Sequence, residues 1–205
     1  SLTTLEKNRL FGHDSRCHDI GLTMPMSEER SHLRTFVLPH LLEALAHNLH
    51  RQETDVALYE IGSVFLSEEK ELRELPKEEE HLAAVFTGVW LENKWQNEVK
   101  TVDFFVVKGV LEGLFEVLGL SKKVTFAQAR KEGLRPGRTA VIKLNENEIG
   151  FIGQLHPSVQ QKFDLNETYV FELSLEVLLN EKTRQIQYDT LPRYPSVTRD
   201  IALVV

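Results

Sequence analysis

Two apolar runs, residues 139–144 and 149–155, are separated only by Asn145-Glu146-Asn147-Glu148. A connection this short cannot carry a parallel crossover, so the runs must fold back on one another. Asn accepts the positive φ that such a turn demands, and the pair reads as a β-hairpin. Further strands are expected at residues 54–65, at 81–91 (HLAAVFTGVWL), at Val124–Gln128 and at 169–173. Asp19-Ile20-Gly21-Leu22 reads as a short strand, and Pro25-Met26-Ser27-Glu28-Glu29 as a turn leading into a helix.

The helices in this set are few. Leu38, Leu41, Leu42, Leu45, Ala46 and Leu49 recur at helical spacing and form one apolar stripe. Thr35 is the expected N-cap, and Pro39 falls in the first turn, where its missing N–H costs little. Phe104, Val107, Leu111, Leu114, Phe115 and Leu118 form a second stripe over residues 101–118, with Gly119 where a C-terminal cap belongs. Shorter helical pieces are expected from Pro157 to Phe163 and over Leu175–Asn180. The charged stretch 68–80 reads as a solvated loop, and the polar stretch 181–195, with Pro192 and Pro195, as a linker. Hairpins combined with few helices imply an antiparallel sheet and an α+β fold. The expected division is one unit over residues 1–182, then a linker and the first strand of a further unit over residues 183–205.

Charge narrows the function classes. With 31 acidic against 24 basic residues the formal charge is −7, so the chain lacks the broad positive field that non-specific phosphate binding needs. One cysteine, Cys17, allows no internal disulfide and suits a reducing compartment. No apolar run approaches the ~20 residues of a membrane helix. The expectation is a soluble, cytoplasmic protein with no membrane partner. The apolar end, Asp200-Ile201-Ala202-Leu203-Val204-Val205, needs neighbours to pair with, which leads us to expect a piece of a longer polypeptide.

Neither G-x-x-x-x-G-K-[ST] nor G-x-G-x-x-G occurs, so both common phosphate cradles are missing. Arg135-Pro136-Gly137-Arg138-Thr139 has the composition of an anion loop but reads as an ordinary loop before a strand. His13, Cys17 and His18 offer soft ligands without a second cluster to complete a tetrahedral site. Cys17 beside a histidine in sequence is not the spatial pairing that a nucleophile needs. His40, His47 and His50 lie on or near one helix face and read as a polar stripe rather than a chelate. The most telling carboxylate is Glu60, within Val56-Ala57-Leu58-Tyr59-Glu60-Ile61-Gly62-Ser63-Val64-Phe65. It shares a strand face with Val56, Leu58, Gly62 and Val64, so its charge must be held by a cation or by backbone donors. No second polar group lies nearby in sequence for acid–base work. A structural pair is therefore expected, with Arg34 as the partner.

An ordered series of segments resembles the β subunit of bacterial phenylalanyl-tRNA synthetases. It comprises Pro25-Met26-Ser27-Glu28-Glu29-Arg30-Ser31-His32-Leu33-Arg34-Thr35, Leu38-Pro39-His40-Leu41-Leu42-Glu43 and Leu58-Tyr59-Glu60-Ile61-Gly62. Asp103-Phe104-Phe105, Lys108-Gly109-Val110-Leu111-Glu112, Pro136-Gly137-Arg138-Thr139-Ala140 and Ile149-Gly150-Phe151-Ile152-Gly153-Gln154-Leu155-His156-Pro157 follow in the family's order. Arg135 departs from the pattern, standing where many relatives carry His. Leu191-Pro192-Arg193-Tyr194-Pro195-Ser196-Val197-Thr198-Arg199-Asp200-Ile201-Ala202-Leu203-Val204 is similar to the opening strand of the family's ferredoxin-like anticodon-binding domain.

The resemblance implies a class II aminoacyl-tRNA synthetase-like antiparallel sheet flanked by helices. It implies a module that packs on a catalytic α subunit in an (αβ)2 assembly, which attaches phenylalanine to tRNA using ATP and magnesium. Rival readings are a free-standing class II-like ligase and a stand-alone tRNA-binding module. Against the first, an active class II site needs an F-R-x-E/D strand and a glycine-rich segment ending in Arg, because fixed guanidinium forks hold the triphosphate. Here the first strand carries Glu60, and no G-x-G-x-G-x-x-R occurs. Against the second stands the acidic balance. No catalytic, cofactor-binding or metal-ligating residue is therefore assigned, and ATP and magnesium are expected only of the whole enzyme.

Overall fold

A computed structural model describes residues 1–12, 18–69, 74–181 and Arg199. The chain opens with β1 (Leu2–Thr3) and α1 (Leu5–Asn8), passes a 3₁₀ turn at Glu28–Arg30, and pairs β2 (His32–Leu33) back onto β1. There follow α2 (Leu38–Leu49), β3 (Val56–Leu66), β4 (Lys77–Thr87), β5 (Val89–Asn93), β6 (Glu98–Thr101) and α3 (Phe104–Val117). The described elements end with β7 (Val124–Gln128), β8 (Leu134–Leu144), β9 (Asn147–Leu155), α4 (Pro157–Phe163), β10 (Thr168–Ser174) and α5 (Leu175–Asn180).

Six strands form one antiparallel sheet in the order β3-β4-β10-β9-β8-β7. The expected hairpin is the β8–β9 pair. Its turn is tighter than the four-residue loop, because Leu144 pairs with Asn147 and Asn145 takes φ +56°. Strand alternation sends successive side chains to opposite faces, and here both faces are covered. Ala83, Val85 and Val170 meet α2, α4 and Phe11, while Ala84, Phe86, Tyr169 and Phe171 meet α3 and α5. The α+β sheet flanked by helices is therefore the observed architecture.

The α3 helix follows its pattern closely. Asp103 caps the start by accepting from Val106 N at 2.7 Å. At the other end Gly119, at φ +70°, lets its own N–H reach Glu116 O and the Leu120 N–H reach Phe115 O, which satisfies two terminal carbonyls.

Five expectations need correction. Thr35 does not cap α2, which starts at Leu38 and is capped through space by a different residue described below. The charged loop is shorter than 68–80, because Lys77-Glu78-Glu79-Glu80 extends β4 against β3 in the register Leu66↔Lys77 to Ser63↔Glu80. Backbone pairing with a long neighbour outweighs the polarity of those side chains, several of which stay solvated. The run 81–91 is two strands, not one. Gly88 at φ +79° breaks it where Asp55 Oδ1 accepts from Val89 N at 2.8 Å, and β5 leaves the sheet to pair with β6. The segment Arg135-Pro136-Gly137-Arg138 lies inside β8, at a register shift between Leu134 and Thr139. Asp19-Ile20-Gly21-Leu22 contributes only an isolated bridge from Gly21 to His32. The expected linker and following strand at 183–205 lie outside the described residues, Arg199 apart.

Candidate functional site

Glu60 is the natural starting point. Strand β3 turns it toward the α2 face, and the segment after β2 brings Arg34 beneath it. Arg34 is buried at 6% exposure, donates from Nη1 to Glu60 Oε1 at 2.7 Å, and donates from Nε to Ser63 O at 2.8 Å. The expected partner is thus the one found. The carboxylate itself remains 35% exposed, so the strand face around it is less buried than its apolar neighbours suggested. A Cβ at Gly62 would come within 2.8 Å of Glu60 Oε1 and closer still to Arg34 Nη2. The glycine makes the room in which the pair sits.

A second, more buried polar cluster lies between α2 and the sheet. Glu172, 1% exposed, projects from the centre of β10 on the Val170 face. Its Oε1 accepts from Val37 N at 3.1 Å and its Oε2 from Leu38 N at 3.1 Å, which caps the first turn of α2. This replaces the expected cap because a negative charge at a helix N-terminus is favoured by the backbone N–H groups and the helix dipole alike. His81 Nδ1, from β4, lies 2.8 Å from Glu172 Oε1, and His81 Nε2 lies 3.7 Å from Glu79 Oε2. With both oxygens of Glu172 engaged, the cluster holds a helix onto a sheet and leaves no idle carboxylate for proton transfer.

Glu172, His81 and Glu79 line a cavity of about 540 Å³. Phe11, Phe36 and Phe151 line it too, with ring centroids 5.9–6.2 Å apart, and Phe151 is the cross-strand neighbour of Glu172. The Lys131 ammonium sits 4.5 Å from the Phe151 centroid and 5.5 Å from that of Phe36. Sequence reading missed Glu172 and His81. The one signal was a carboxylate inside the otherwise apolar Tyr169-Val170-Phe171-Glu172-Leu173, and its partners lie 91 and 135 residues away.

The remaining candidates do not converge. His40 bonds the Leu2 carbonyl at 3.2 Å, and burial lowers its pKa below 6.5. His50 pairs with Asp164 at 3.1 Å, and His47 is exposed. Among the described residues no three His, Cys, Asp or Glu side chains are grouped to hold a metal ion. His13 and Cys17 lie outside the described residues, and the His18 N–H bonds Ser67 O at 2.7 Å. Arg138 does not face an open anion loop: its Nη1 donates to Gln154 Oε1 at 2.9 Å and reaches Glu167 Oε1 at 3.5 Å. No helix among the described residues is long and apolar enough to cross a membrane.

Known proteins agree with this geometry. Two solved pyrrolysyl-tRNA synthetase structures from Desulfitobacterium hafniense superpose with TM-scores of 0.54 and 0.51. They cover 78% and 76% of this chain, and 52% and 51% of theirs, at 14% and 17% identity. The shared fold is the class II synthetase-like antiparallel sheet flanked by helices. Sequence relatives lie nearer. The phenylalanine–tRNA ligase beta subunits of Bacillus licheniformis, Bacillus cereus and Bacillus subtilis are 56%, 55% and 50% identical. Each match takes in the whole chain, which spans about a quarter of the length of these curated relatives. Residues 1–175 match the family model described as the phenylalanyl tRNA synthetase beta chain CLM domain. A class II-like sheet, a family match over residues 1–175 and identity of half or more from end to end agree: the chain belongs to the phenylalanyl-tRNA synthetase beta chain family.

Proposed function

We propose that this chain is a non-catalytic, class II-like module of a phenylalanine–tRNA ligase beta subunit. It docks the catalytic α subunit in an (αβ)2 enzyme that uses ATP and magnesium to attach phenylalanine to tRNA in the cytoplasm. Residues 1–182 form the module, and residues 183–205 supply a linker and the opening strand of an anticodon-binding-like domain. The observation that carries this reading is the Arg34–Glu60 pair. On the strand where an active relative needs a guanidinium turned to a triphosphate, this chain carries a carboxylate, and the arginine beside it is spent on that carboxylate at 2.7 Å. A nucleotide placed there would meet a negative charge and no free fork.

The docking role has its own support. Strand β3 is the edge of the sheet, and its face away from α2 leaves Tyr59 at 74% and Ile61 at 56% exposure. Large apolar side chains left exposed along an edge strand suit a protein partner.

The test is amino-acid-dependent ATP–pyrophosphate exchange by the chain alone, followed by co-purification with the α subunit. No exchange, together with retention of α that Tyr59→Ala and Ile61→Ser weaken, is the expected result. Exchange by the chain alone would overturn the non-catalytic reading, and α retention indifferent to both substitutions would remove this face from the interface.

A further inference from the structure

We draw no further inference here: the strongest candidate, the aromatic groove of about 520 Å³ that Phe104, Phe105 and Phe126 wall beside α3, next to the exposed β5–β6 ribbon, carries nothing because nothing in the structure shows what covers it.

Discussion

At the scale of single residues, polar groups set in apolar strands determine what their surroundings must supply. Gly62 is small because the Arg34–Glu60 pair fills the space a methyl would take. Gly62→Ala is therefore expected to cost about 1–3 kcal/mol through overpacking, measurable by urea unfolding. Glu60→Gln, at a carboxylate about one-third exposed, is expected to cost under about 1 kcal/mol. A larger loss for Glu60→Gln than for Gly62→Ala would reverse that account of the site. Tyr169 gives a pH prediction. Burial first, and then the hydrogen bond its hydroxyl donates to Glu167 at 2.6 Å, push its pKa up to about 12. The folded state thus favours the neutral phenol more than the unfolded chain does. That stability is present in full below pH 10 and drains away as pH rises from 10 through about 12. Melting curves over that range should show Tyr169→Phe losing less stability with pH than the parent chain.

At the scale of elements, the capping of α2 illustrates what local pattern reveals and what it omits. The stripe from Leu38 to Leu49, the α3 stripe with its Gly119 stop, β7, α5 and the β8–β9 hairpin were all legible, because periodicity and turn chemistry are written into neighbouring residues. The cap was not legible. It reaches α2 from β10, and at Val37 no side chain caps the helix locally. The same cause hid the strand at Lys77-Glu78-Glu79-Glu80, whose backbone partner is the far end of β3, and the Gly88 break, which depends on Asp55. In the candidate site, Arg34 beneath Glu60 was legible from the cost of an unpaired charge, whereas the Glu172–His81 cluster spans residues too distant for any sequence pattern. Glu172→Gln should unmake the cap. It removes the charge and sets an amide N–H₂ against backbone N–H donors, a loss of about 2–3 kcal/mol and roughly 5–10 °C in Tm for a chain of this size. Thr35→Ala, at the position a local reading favours, should cost under about 1 kcal/mol. Calorimetry of the two variants decides which residue caps the helix.

At the scale of the whole molecule, the sheet is the shared wall of two cores. Strand β4 sends Ala83 and Val85 into one and Ala84 and Phe86 into the other, and β10 does the same with Val170 on one side and Tyr169 and Phe171 on the other. Neither helix layer can lose its packing without exposing the back of strands on which the other depends. The layers are therefore expected to unfold together rather than as separate units. Leu42→Ala in α2 and Leu111→Ala in α3 test this, since both side chains are fully buried and lie on opposite faces. Each should cost about 2–5 kcal/mol. Each should shift one common transition, seen alike by far-ultraviolet circular dichroism and by the emission of Trp90, which packs on Phe86 on the α3 side. A Leu42→Ala variant whose circular dichroism transition moved while the Trp90 transition held its place would show that the faces come apart. The sheet would then be a seam between two units, and a partner docked on one face would leave the packing of the other undisturbed.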